Sequence, residues 1–190
     1  GLRRITAQAG RPAYLSQRAV QEAMDRVRES LGVHEPEQVP VRVRQLLDEL
    51  GAARREATEA RLSALLSGAQ EMADSAREIE GFALVTKAFE GAGMELLRQV
   101  ADAVKNRLQG AVILFASVDG AKVSLMAMGD ETAIGRGFHA GKLIGAIAPI
   151  VGGSGGGRPN LAQAGGKNPE KVPEALEAVD GVIRSLFPNR

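Results

Sequence analysis

The chain has 190 residues, of which 44% are hydrophobic and 25% charged, enough apolar material for one large domain or a small domain with an appendage. It has no cysteine and two histidines, His34 and His139, which excludes disulfides, thiol nucleophiles and thiolate-bound zinc and leaves too few imidazoles for a histidine metal site. The formal net charge is only +1, and no apolar run approaches the roughly 20 residues of a membrane span, so a soluble cytoplasmic protein is expected.

The stretch Leu2-Arg-Arg-Ile5 up to Gly10 reads as a short strand, as expected of a piece cut from a longer protein. A helix is expected from about Pro12 to Leu31, with Ala13, Val20, Met24, Val27 and Leu31 on one face and proline in the first turn. Gly32 ends it, and residues 34–40 form a turn. A second helix is expected from about Pro40 to Arg77, with Val43, Leu46, Leu50, Ala53, Ala57, Ala60 and Ala64 alternating by three and four in a coiled-coil seam. Two helices joined by a short loop are expected to pack antiparallel as a helical hairpin.

After Glu80 the pattern changes. A strand is expected over 81–89 and an amphipathic helix over 93–108. The apolar run 111–118, the Asp119-Gly120 turn and the returning strand 122–128 make a β-hairpin. A helix around 138–147, a glycine-rich loop and a last helix over about 169–186 complete a compact α/β domain. The plan is therefore α+β or α/β: a remnant strand over 1–11, a hairpin arm over 12–80 and a globular domain over 81–190.

Charge is unevenly distributed. From Thr132 to Pro169 there is no acidic residue, while Arg136, Lys142, Arg158 and Lys167 give four positive charges. Gly1 to Gln21 is also acid-free and carries Arg3, Arg4, Arg11 and Arg18. The stretch 12–80 holds 9 basic and 13 acidic residues. Such asymmetry points to a local anionic partner. Aromatics are only 3%, so a surface that stacks bases on exposed rings is a poor match.

Residues 151–166 hold seven glycines in sixteen positions. Glycine loses the most entropy on ordering, so this density needs repeated positive φ or a close approach of main-chain N–H groups to a ligand. A flexible linker is the plain alternative, but Arg158-Pro-Asn-Leu-Ala-Gln-Ala164 interrupts the glycines with non-repetitive residues. Nucleotide motifs fail here: Gly166-Lys167 is followed by Asn168, and Leu161 stands where a P-loop needs its first glycine. Gly135-Arg-Gly-Phe-His-Ala140 fits the dinucleotide pattern only formally, because it follows Asp130-Glu131-Thr132 and no strand. With no carboxylate in the stretch, any reaction here would have only His139 as a base, and no catalytic or metal-binding residue is expected.

Phe138-His-Ala-Gly-Lys-Leu-Ile-Gly-Ala-Ile-Ala148 followed by Gly152-Gly-Ser-Gly-Gly-Gly-Arg-Pro-Asn-Leu-Ala-Gln-Ala-Gly-Gly166 closely resembles the C-terminal domain of bacterial alanyl-tRNA synthetases. This is the DHHA1 domain, shared with DHH-family phosphoesterases. The resemblance extends over the whole chain, and is specific for Gly152–Gly166 and weak for the hairpin. Leu2–Ile5 with Gly10 resembles the strand that closes the synthetase editing domain. Asn160 departs from the aspartate typical of the family.

The resemblance implies that the parent enzyme joins alanine to its tRNA and hydrolyses mischarged tRNA, using ATP, magnesium and zinc bound upstream of Gly1. It implies that this region needs no cofactor and holds the tRNA elbow, with alanine-specific tRNA and the upstream domains of the same chain as partners. Arg136, His139, Lys142, Gly152, Gly153, Gly155, Gly156, Gly157, Arg158, Asn160, Gln163 and Lys167 are the candidate tRNA-binding residues. Arg158, held between glycines and Pro159, is the foremost. His139 is weighed more as a structural residue than as a contact. The other readings are the substrate-binding half of a DHH-type phosphoesterase, which would need an Asp- and His-rich domain ahead of it, and a homodimerisation role for the hairpin.

Overall fold

The computed structural model describes residue 7 and residues 9–188. The strand expected over 1–10 falls largely outside the described residues. The chain divides into two compact units, residues 1–59 and 60–190.

In the first unit, helix α1 (Arg11–Leu31) takes proline in its first turn and ends at Gly32, whose φ of 65° lets its N–H reach back to the carbonyls of the last turn. Helix α2 (Gln38–Ser67) follows a turn in which the Gln38 side-chain oxygen accepts from the N–H groups of His34 and Glu35. Neither helix buries a residue. The seam positions Val43, Leu46 and Leu50 are 39%, 37% and 46% exposed. Both helices expected from periodicity are present, but the hairpin core is not. Periodicity records which residues share a face, not what covers it, and the alanine half of the seam brings little apolar area to bury.

The second unit begins inside α2. The helix expected to reach Arg77 breaks at Gly68, and a short helix α3 (Ala69–Asp74) buries Ala69, Met72 and Ala73. Strand β1 (Arg77–Ile79) then pairs antiparallel with β2 (Phe82–Glu90), with Ile79 opposite Phe82. Glu80 and Gly81 between them both take positive φ, 51° and 78°, as a two-residue hairpin of mirror-image twist requires. Glutamate is uncommon at such a position, which is why the sequence reads as a domain boundary where the structure has a turn. The elements just before Gly81 thus belong to the globular unit, not to the arm.

Helix α4 (Met94–Lys105) connects β2 to β3 (Ala111–Asp119), which lies parallel to it, and β3 turns at Gly120 into antiparallel β4 (Lys122–Gly129). Helices α5 (Glu131–Gly135) and α6 (Ala140–Ile147) follow, the first of them not expected from the sequence. The glycine-rich segment, expected as a loop, forms two strands, β5 (Ser154–Gly157) and β6 (Leu161–Gly166). Helix α7 (Val172–Leu186) closes the unit. The sheet order is β1-β2-β3-β4-β6-β5, which leaves the glycine strand β5 at an edge.

The sheet is covered on both faces. Leu84, Leu114 and Leu125 pack under α6 and α7 with Phe138, Leu143, Val179 and Ile183. On the other face Val85, Phe115 and Met126 meet α3 and α4 through Met72, Leu97, Val100 and Val104. Double coverage explains the unbroken apolar run of β3, whose residues 111–117 are all buried.

Asp130 ties two corners of this unit together. One carboxylate oxygen accepts from the Ala133 N–H at 2.7 Å, capping α5, and the other accepts from the Gly110 N–H at 2.8 Å, beside the start of β3. Asp130→Ala is expected to lower the unfolding free energy by about 1–2 kcal/mol. Urea denaturation measures this, and a change below about 0.5 kcal/mol would mean that water replaces both bonds.

Candidate nucleic-acid interface

The β5–β6 ribbon is built by close approach of backbones. A Cβ on Gly155 would stand 2.5 Å from the Ala164 Cα, and one on Gly157 2.5 Å from the Ala162 Cα. A Cβ on Gly153 would stand 2.7 Å from the Gly165 carbonyl carbon. Alternate residues of β5 therefore face β6 with no room for any side chain. Of the five glycines in residues 152–157, only Gly152 has positive φ, 64°. The expectation of repeated positive φ is not met, and the backbone most closely approached is β6. A linker is not present, since both strands are paired along their length.

Gly156 and Gly165 differ from these. Neither has an atom within 4 Å of an added Cβ, and neither has positive φ. Both are exposed. The fold does not require glycine at either place.

Both ends of the ribbon are pinned by main-chain bonds. At the β5–β6 turn the Arg158 N–H donates to the Leu161 carbonyl at 2.9 Å. The Pro159 carbonyl accepts from Ala140 N–H at 2.9 Å, and the Asn160 carbonyl from Gly129 N–H at 3.1 Å. With the backbone held by α6 and β4, the exposed side chains of Arg158 and Asn160 make no hydrogen bond or ion pair within the described residues. At the other end Lys167 N–H donates to the Val151 carbonyl at 2.9 Å, and a Cβ on Gly152 would meet the Asn168 side chain at 2.7 Å.

The expected site residues divide accordingly. Gly152, Gly153, Gly155, Gly156, Gly157, Arg158, Asn160, Gln163 and Lys167 lie on the ribbon and its two turns. Arg136 does not: its guanidinium donates to the Gly81 carbonyl at 2.5 Å and borders a depression with Phe82 and Phe187. His139 is half-buried, and its Nδ1 accepts from the Gly141 N–H at 3.1 Å, which makes it the N-cap of α6. That is a structural use of the side chain. Lys142 is exposed on α6. Gly135–Ala140 runs from the end of α5 to the start of α6, not from a strand, so the formal dinucleotide pattern has no phosphate-binding context.

Three residues that the sequence did not single out join the ribbon. Lys122 and Ser124 of β4 lie beside Ser154, Gly165 and Lys167 around one shallow depression. Arg98 of α4 lies beside Arg158, Asn160 and Gln163 at another. No linear signal connects them with the glycines, because the sheet order and the crossover helix bring them there. No carboxylate lines either depression.

The sequence pattern of the family described as the DHHA1 domain matches residues 80–185. The alanine–tRNA ligase of Listeria innocua is 39% identical over 187 residues, covering 97% of this chain and 21% of that enzyme. The enzyme of Halalkalibacterium halodurans is 34% identical over 188 residues, with 98% and 21% covered. The chain thus spans about a fifth of the length of these relatives. Among solved structures, the C-Ala domain from Aquifex aeolicus alanyl-tRNA synthetase superposes with a TM-score of 0.53 at 31% identity, covering 57% of this chain and 96% of that domain.

Proposed function

The chain belongs to the DHHA1 domain family, and from that premise we propose that it is the tRNA-binding C-terminal module of an alanine–tRNA ligase. In this reading it holds the tRNA elbow so that one bound molecule serves aminoacylation and editing centres carried by other domains of the same polypeptide. Its own part is binding, not chemistry. The ATP, magnesium and zinc of the parent enzyme belong with those other domains. This chain has no cysteine, and its described residues hold no group of three His, Asp or Glu side chains suited to a metal.

The observation that carries the reading is the acid-free ribbon with its main chain tied down and its cations without partners among the described residues. Folded RNA is recognised through shape, phosphates and 2′-hydroxyls, and a narrow edge of small residues rimmed by Arg158, Lys167 and Lys122 can approach such a surface closely. The main chain at Arg158 is already held by its N–H bond to the Leu161 carbonyl and by the following Pro159, so no backbone ordering cost at this residue remains on binding.

The test is binding of the chain to an intact alanine-accepting tRNA across a salt series, with a simple RNA hairpin as control. Affinity for the folded tRNA is expected to fall steeply with salt, and Arg158→Ala is expected to weaken it about tenfold and reduce the log–log slope by about one. Equal binding to both RNAs, or none to either, would remove the elbow-reading function.

A further inference from the structure

We propose that Arg98 completes a single-nucleotide subsite at the β5–β6 turn, in which Arg98 and Arg158 grip one phosphodiester and the Asn160 and Gln163 amides hydrogen-bond the adjoining 2′-hydroxyl. The inference rests on the tRNA-binding reading above and specifies where one of the RNA contacts is made.

The four side chains come from two distant parts of the sequence and meet around a depression of about 450 Å³, which Gly156 and Gly157 also line. All four are exposed, and none makes a hydrogen bond or ion pair within the described residues. That is informative for Arg98 because its own helix offers carboxylates at the spacings where ion pairs form. Glu95 accepts from Gln99 at 3.1 Å and Asp102 from Lys105 at 2.8 Å, and neither forms an ion pair with Arg98, which lines the depression.

Two guanidinium groups without a carboxylate form an anion site, and planar forks suit the two free oxygens of a phosphodiester. An amide side chain both donates and accepts, which matches the dual character of a ribose 2′-hydroxyl. At Gly156 the open space above the strand lets the sugar come close to the main chain between these groups. Asn160 then acts as a neutral hydrogen-bonding group. A carboxylate there would repel the same phosphodiester.

The experiment uses the full chain and the same tRNA in the salt series. Arg98→Ala is expected to weaken binding about tenfold and to lower the log–log slope by about one, because one fewer counterion is released. Arg98→Lys is expected to restore the slope but not all of the affinity, since a point charge cannot make the paired bonds of a fork. The double change Asn160→Ala with Gln163→Ala is expected to weaken binding several-fold at unchanged slope, because neutral groups release no counterions. Thermal unfolding of each variant is expected to match the unsubstituted chain, the four side chains having no internal partners. If Arg98→Ala binds within about twofold of the unsubstituted chain at the same slope, while that chain still binds tRNA in a salt-sensitive way, the subsite is refuted and the tRNA reading stands. If the unsubstituted chain shows no salt-sensitive preference for tRNA, both fall.

Discussion

Gly155→Ala is expected to destabilise the chain by at least about 2 kcal/mol, while the neighbouring Gly156→Ala leaves it unchanged or gains about 0.4–1 kcal/mol. The two positions are adjacent in an exposed strand and would rank alike on composition or accessibility. They differ in what an added methyl meets: the Gln163 carbonyl, Ala164 Cα and Ala164 Cβ at Gly155, and open space at Gly156. At Gly155 the ribbon must separate, because the colliding atoms are mostly backbone and cannot rotate away. At Gly156 alanine only reduces the freedom of the unfolded chain. Denaturant midpoints measure the difference, and amide exchange locates it: faster exchange in residues 154–157 and 162–165 is expected for the first variant alone. Equal behaviour of the two would show that the alternation of glycines is not set by packing against β6.

Phe138→Ala is expected to cost about 3–5 kcal/mol and to lower the melting temperature by roughly 10 °C or more. Phe138 is 2% exposed. Its ring stands edge-on to Phe82 at 6.0 Å and tilted against Phe187 at 5.3 Å. It also covers Gly129, where a Cβ would come within 2.5 Å of the ring, so β4 and the segment leading into α6 are fitted to each other through this side chain. The cavity left by alanine would be lined by aromatic and aliphatic groups on several elements, which cannot all collapse inward. The consequence reaches the interface, since α6 begins two residues later and its Ala140 N–H holds the Pro159 carbonyl. Calorimetry measures the stability loss. Retention of the full melting temperature would mean that α6 is held by Leu143, Ile144 and Ile147 alone.

Much of the globular unit was legible in advance because its signals are local. The β3–β4 hairpin follows from an apolar run, Asp119-Gly120 and a returning apolar run, and the observed register pairs Asp119 with Lys122. Helix α4 follows from Met94, Leu97, Val100 and Val104 on one face. In the first unit, helix α1 likewise follows from Pro12 and Gly32. Two of the short elements, β1 and α5, were not legible: three and five residues are too few to establish a period, and each depends on a partner outside itself. In β1 the partner is β2 across the Glu80-Gly81 turn, and in α5 the Asp130 cap is fixed by Gly110.

The composition of the candidate interface was legible in the chain alone: a run from Thr132 to Pro169 without an acid, the glycine spacing and the cations Lys142, Arg158 and Lys167. These are properties of one contiguous segment, and residue type alone decides them. Three features emerge from the assembled fold: the glycines form a paired edge strand, Arg136 and His139 are spent on internal hydrogen bonds, and Arg98 and Lys122 border the same edge. The reason is that glycine carries no side-chain pattern from which a strand could be read, and pairing energy comes from a partner strand whose place is set by the whole sheet. Distances between residues 60 positions apart follow from the order in which strands assemble, and no local rule contains that order.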